Sequence, residues 1–227
     1  MSSIVCSCLT DPFSWDFGTE LARLRQGLAV PLKQPKRAPA ARPFYGATAG
    51  AAHDGVHLYV VAEMEDIDIF NTATSMNQRT WMTGDAFEIF LRPAGQEAYY
   101  EFHVTPDNQI LQLRLPNMAD FYDPVSLAEK SGAFTRRLLP DKIIESRAEI
   151  LRESERWRVM VSIPLGRLCE NKQWEVGDIW TASFCRYDYT RAAEEPVVSS
   201  TSDHERPDFH NQPEWRRLVF NSRDSLY

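Results

Sequence analysis

Trp81, Glu88, Glu101 and His103 are the side chains of this sequence whose types and spacing could do chemistry together. In "RTWMTGDAFEIFLRP" the run from Asp85 alternates as a half-buried strand does. Phe87, Ile89 and Leu91 face one way, and Ala86, Glu88, Phe90 and Arg92 face the other. In "YYEFHV", Tyr100, Phe102 and Val104 share one face and Tyr99, Glu101 and His103 the other. With residues 93–98 as the hairpin loop, Arg92 pairs with Tyr99, Phe90 with Glu101 and Glu88 with His103. Directly opposed residues have Cβ atoms ~5 Å apart, so Glu88 and His103 become neighbours. A slip of one residue would put them on opposite faces. Trp81 stands just before the strand, in a polar segment that reads as loop.

This set suits a sugar. A pyranose has an apolar face of C–H bonds and a rim of hydroxyls. An indole covers the first. A carboxylate accepts from two hydroxyls, and a histidine or arginine donates to oxygen atoms. The plainer reading is that Trp81 caps the core and the Glu–His face is solvated, as one face of an antiparallel sheet often is. Glu88 and Glu101 on one face also admit a glycosidase, whose two carboxylates stand ~5 or ~6.5–9.5 Å apart. His204, His210 and Cys185 lack zinc-site spacing. Met64, Met76, Met82 and His103 select no pair for haem. Phosphate-loop, dinucleotide and Gly-x-Ser-x-Gly fingerprints are absent from the sequence.

The elements that must position these residues are short and mostly strands. A helix is expected near Thr19–Arg25, ended by Gly27, followed by the extended Pro-rich "PLKQPKRAPAARP". Asp54-Gly55 marks a hairpin turn before a strand over Val56–Glu63. The strands "DAFEIFLR", "YYEFHVT" and "QILQLRL" form a meander, with Asp107-Asn108 as its second turn. A long connection follows, with a helical turn expected at Ser126–Lys130. Two strands joined at "ESER", a strand within "VGDIWTASFCRYDYT" and a last strand at "EWRRLVF" complete the chain. Many short strands without a βαβ rhythm predict an all-β, antiparallel β-sandwich of jelly-roll or immunoglobulin-like type with one or two short helices.

The chain has 227 residues, 43% of them hydrophobic and 11% aromatic, which favours one domain with a packed core. A net charge of −7 with scattered Arg and Lys argues against nucleic-acid binding. No apolar run reaches the ~20 residues that span a bilayer. "MSSIVCSCLTDPF" lacks the basic start of a signal peptide, which points to the cytoplasm; a chain trimmed of its export signal would be extracellular or periplasmic. Cys6, Cys8, Cys169 and Cys185 read as free thiols.

"DGVHLYVVAEMEDIDI", "WMTGDAFEIFLRP", "YYEFHVTPDNQI", "WRVMVSIPLGRL", "GDIWTASFCRYDY" and "RPDFHNQPEWRRLVF" follow one another in an order that resembles the family 9 carbohydrate-binding modules, relatives of the DOMON-type sandwiches. The resemblance covers about residues 45–220. It implies a sandwich over 45–222, preceded by an extension packed on it (1–44) and followed by a tail (223–227). It also implies non-catalytic binding of a saccharide or glycan end, no required cofactor, and a glycan-processing enzyme as partner. In such modules two tryptophans sandwich a terminal sugar. Trp81 matches the first, with one extra residue before the Asp, and Glu88 matches the sugar-binding carboxylate. His103 falls where the founding modules carry Arg, and Cys185 near a binding Gln. Phe209 or His210 takes the place of the second tryptophan, while Trp215 belongs to the next strand. The 206–210 region would close the site, and Arg186 would reach it from a suitable strand face. Relatives carry structural calcium, for which Asp66 and Asp68 are the candidate ligands. The competing expectations are an interaction scaffold with a decayed sugar site, and a hydrolase using Glu88 and Glu101.

Overall fold

The computed structural model describes residues 3–26, 28–38, 43–123, 132–170, 173–191 and 193–222. Its strands are β1 (Ser3–Cys8), β2 (Val30–Pro31), β3 (Ala47–His53), β4 (His57–Glu65), β5 (Ala86–Arg92) and β6 (Tyr99–Val104). They continue as β7 (Ile110–Leu115), β8 (Glu145–Leu151), β9 (Arg156–Pro164), β10 (Ile179–Asp188), β11 (Val197–Ser200) and β12 (Arg216–Phe220). Three short helices accompany them among the described residues: α1 (Phe17–Arg25), α2 (Met118–Tyr122) and α3 (Ala133–Arg137). The third helix exceeds the one or two expected. Gly27, the expected helix end, and the turn expected at Ser126–Lys130 lie outside the described residues. No described helix is long and apolar enough to cross a membrane.

The chain folds as an all-β sandwich. One leaf runs β7-β6-β5-β10-β12, with β11 on β10; the other runs β1-β3-β4-β9-β8, with β2 on β3. The alternating apolar residues meet between the leaves. Phe87, Ile89, Leu91, Phe102 and Phe184 of one pack in a single core with Val60, Trp157 and Val161 of the other. β1 joins the leaves and pairs parallel with both β12 and β3, whereas the remaining pairings are antiparallel. Parallel neighbours need a long connection, and residues 9–46 supply it, carrying α1 with its Asp16 cap. Residues of the expected N-terminal extension thus provide two strands of the sheet, β1 and β2.

The hairpin register follows the alternation: Glu88 pairs with His103, Phe90 with Glu101 and Leu91 with Tyr100. The face carrying them is not solvated, as the plainer reading expected. Every residue of β6, and β5 up to Leu91, is buried. A second cluster covers this face, in which Phe90, Tyr99, Leu113 and Cys185 meet Phe209 and Trp215, with Trp81, Phe121 and Phe134 against them. The cover comes from α2, α3 and the 207–215 segment, whose aromatic residues pack on this outer face and on one another.

Candidate functional site

A cavity of about 400 Å³ opens between that face and its cover. Its floor is polar. Glu88 and Glu101 line it, 2% and 5% exposed, and His103, fully buried, lies against both. The His103 Nε2 is 2.6 Å from Glu101 Oε1, and its Nδ1 is 3.2 Å from Glu88 Oε1 and 2.8 Å from the Thr80 hydroxyl. The Tyr99 hydroxyl meets His210 Nδ1 at 2.8 Å. If it donates there, the His210 Nε2–H faces Glu101 Oε2 at 3.7 Å. Burial pushes the His210 pKa down to about 4, so this ring is neutral near pH 7. Burial pushes Glu88 up to about 8, against the His103 charge and with that of Glu101. His103 is raised: burial opposes its charged form, but Glu88 and Glu101 on either side outweigh burial.

The walls are aromatic. Trp81 is half-buried, its ring edge-on to His103 and Phe134 with centroids 5.6 and 5.8 Å away. Phe121 stacks on His210 at 3.4 Å. Phe209 is buried and meets Tyr187 edge-on at 5.6 Å. At the rim, the Arg79 guanidinium lies over Phe134, Arg137 is tied to Asp120 at 2.8 Å, and Asp208 accepts from the Tyr122 hydroxyl at 2.6 Å.

The Trp81 segment is a 3₁₀ turn, Thr80–Met82, held by a polar clasp. Asn71 Nδ2 donates to the carbonyls of Thr80 (2.9 Å) and Asp85 (3.0 Å), and the Tyr189 hydroxyl donates to Trp81 O at 2.7 Å. Asp85 accepts the backbone N–H groups of Phe70 and Tyr189, at 2.7 and 2.8 Å. Gly84, at φ +140°, lets the chain pass Phe70 and Asn71; a Cβ there would stand 2.4 Å from Phe70 O. Trp81 is therefore a fixed wall and not a loose loop residue.

The structure brings Trp81, Glu88, Phe209 and His210 to one pocket and sets His103 beneath its floor. Arg186 is elsewhere. Cys185 pairs with Glu88 and shares its face, so Arg186, one residue on, points to the opposite face. There it is 1% exposed and lies 3.1 Å from Asp66 and 3.2 Å from Asp188. Cys185 lies under the site with its thiol 3.2 Å from the Ser183 hydroxyl. Tyr187, Phe121, Phe134, Arg79 and Arg137 line the pocket and were not singled out from the sequence. Tyr187 shares the parity of Cys185 and was available from alternation. The others come from the irregular segments on either side of the meander, where no period marks a direction.

Neither of the two buried acidic clusters among the described residues makes a good metal cage. Asp66, Asp85 and Asp188 bring carboxylate oxygens together, but the Arg186 guanidinium already stands among them. Calcium takes about six to eight oxygen ligands, and here it would meet a fixed positive charge. Asp68 turns away to pair with Arg191. At the pocket floor, Glu88 and Glu101 address opposite nitrogens of His103. The ring lies between the carboxylates instead of joining them around one point.

No family model and no curated protein matches the sequence. Solved structures do match in shape over nearly the whole chain. A Bacteroides uniformis protein provisionally assigned a carbohydrate-binding role superposes with a TM-score of 0.70 at 18% identity, covering 97% of this chain and 100% of its own. A family 9 carbohydrate-binding module of Caldicellulosiruptor kristjanssonii in complex with glucose gives 0.63 at 16% identity, over 100% of this chain and 99% of the module. One from the same organism in complex with cellotriose gives 0.62 at 17%, over 100% and 98%. This chain has the fold of a family 9 carbohydrate-binding module. In this chain the β5–β6 hairpin and the β10 strand lie side by side in one leaf, so that their outer faces form a single floor.

Proposed function

We propose that this chain is a non-catalytic saccharide-binding module, with its ligand in the pocket between Trp81 and the Phe209–His210 segment. The observation that carries the reading is an aromatic-walled cavity over two buried carboxylates, in a size range typical of small-ligand sites. Structural neighbours that hold glucose and cellotriose support it. Trp81 covers the C–H face of a sugar, and the floor bonds its hydroxyls. Affinity is modest, because each hydroxyl gives up good water contacts on entry.

Glu88 and Glu101 lie on adjacent strands under one face of the pocket and contact one imidazole. A glycosidase needs its carboxyl groups on either side of the scissile bond, so this arrangement favours holding a sugar over cleaving it. Cleavage of the glycan would belong to a partner enzyme. The retained cavity also favours binding over a decayed scaffold.

The test is tryptophan fluorescence titration with neutral mono- and oligosaccharides, glucose and cellotriose among them, on wild type and Trp81→Ala. The expected result is a saturable change in wild type that Trp81→Ala loses while keeping its circular dichroism spectrum. Silence toward all sugars at millimolar concentration would overturn the reading in favour of an interaction scaffold.

A further inference from the structure

Glu88 and Glu101 flank one imidazole, yet their surroundings differ. Glu101 receives the His103 Nε2–H at 2.6 Å and faces the His210 Nε2 at 3.7 Å. Glu88 meets the other nitrogen of His103 at 3.2 Å, which it shares with the Thr80 hydroxyl at 2.8 Å. Across β10 it faces Cys185, and Tyr187 lines the same pocket. Burial raises both of their pKa values well above the ordinary ones, so both are uncharged. The arginines of the lining are Arg79, over Phe134, and Arg137, tied to Asp120; Asp208 adds a rim carboxylate. Two ionised carboxylates with one imidazolium would leave an uncompensated negative charge in a buried, aromatic-walled site, and such a charge is costly. N–H donors converge on Glu101, so the retained proton belongs on Glu88.

We propose that Glu88 faces the ligand as a neutral acid donating its O–H, and Glu101 as a carboxylate accepting, with His103 the positioning residue that enforces the difference. The floor is then a donor beside an acceptor. It selects uncharged vicinal diols, in which one hydroxyl accepts and its neighbour donates. Two carboxylates would offer acceptors only. The inference rests on the saccharide reading for its ligand, but the proton's position does not. Burial and the Glu101 charge push Glu88 up to about 8. Glu101 is lowered: burial opposes this, but the His210 and His103 rings outweigh it.

Infrared spectroscopy tests the proton without any sugar. Asp85 and Asp188, raised to about 8 and 7 by burial, add their own protonated-carboxyl absorption, so the readout is wild type minus variant. At pH 7 the wild-type-minus-Glu88→Gln difference should show a protonated-carboxyl band, and its midpoint should fall in Glu101→Gln, which removes a charge that raises Glu88. His103→Gln should move the midpoint of that band upward by about one pH unit, which a purely structural histidine would not do. The binding arm follows the affinity for glucose or cellotriose from pH 6 to 9. Wild type should weaken about tenfold through pH 8, the worth of one good hydrogen bond. The Glu88→Gln profile should be flat, and Glu101→Gln should weaken binding at every pH. A wild-type-minus-Glu88→Gln difference without that band, or a midpoint that rises in Glu101→Gln, overturns the assignment. If either variant fails to fold, the wild-type-minus-His103→Gln difference between pH 7 and 9, in which Asp85 and Asp188 cancel, decides it together with the wild-type binding profile; no difference in that window overturns it. No binding of any sugar refutes the saccharide reading and leaves the infrared result to judge the proton.

Discussion

Replacing Arg186 by Met keeps much of the side-chain volume and removes a charge from the centre of three buried aspartates. The guanidinium is 1% exposed and stands 3.1 and 3.2 Å from Asp66 and Asp188. Even with it present, burial raises Asp66, and burial together with the charge of Asp66 raises Asp85 to about 8 and Asp188 to about 7. Removing one partner of a buried ion pair costs ~3–5 kcal/mol, because the other is left uncompensated. At roughly 2–4 °C per kcal/mol for a chain of this size, Tm at pH 8 should fall by about 6–20 °C. In the variant the folded cluster must hold protons that the unfolded chain releases above pH ~4. More protons bound when folded means stability that is lost as pH rises, so the deficit should shrink to ~1–2 kcal/mol at pH 5, where the acids are neutral. Urea unfolding of both proteins at pH 5 and pH 8 measures this. A deficit under ~1 kcal/mol at pH 8, or one equal at both pH values, would refute the reasoning. Asp85 also holds the backbone ahead of β5, so sugar titration of the variant should report a loosened Trp81.

Tyr189→Phe removes the hydroxyl that fixes Trp81 O, and should cost ~1 kcal/mol in urea unfolding and weaken sugar binding severalfold by fluorescence titration. Gly84→Ala should cost at least ~2 kcal/mol, since it combines a positive φ with backbone overlap; a Tm within 2–3 °C of wild type would contradict this, by the same size scaling. Glu88, raised from 4.5 to about 8, and His103, raised from 6.5, both bind extra protons when folded, so each contributes stability that is lost as pH rises. His210, lowered to about 4, acts in the opposite sense only below pH 6.5. Between pH 6.5 and 8 calorimetric Tm should therefore fall, with a smaller slope in Glu88→Gln. Chelation with EDTA should leave Tm unchanged, because Arg186 supplies the positive charge among Asp66, Asp85 and Asp188.

Much of the site was legible in residues 81–104. The alternation of β5 and β6 and the loop between them determined which side chains share a face, and so placed Glu88 against His103 and beside Glu101. The turn at Asp54-Gly55 was equally local, with Gly55 at φ +92°. These features depend on the two-residue period of a strand and on turn chemistry, both of which act over a few residues. The tertiary structure alone decided that this polar face is buried. Its cover, including Phe121, Phe134 and Phe209, comes from segments distant in sequence and without a period of their own. It alone decided the direction of Arg186 as well. β10 alternates too, but which of its faces meets the pocket depends on pairing Cys185 with Glu88, a contact between residues nearly a hundred positions apart. Alternation divides a strand into two faces; only long-range register says which of them the ligand meets.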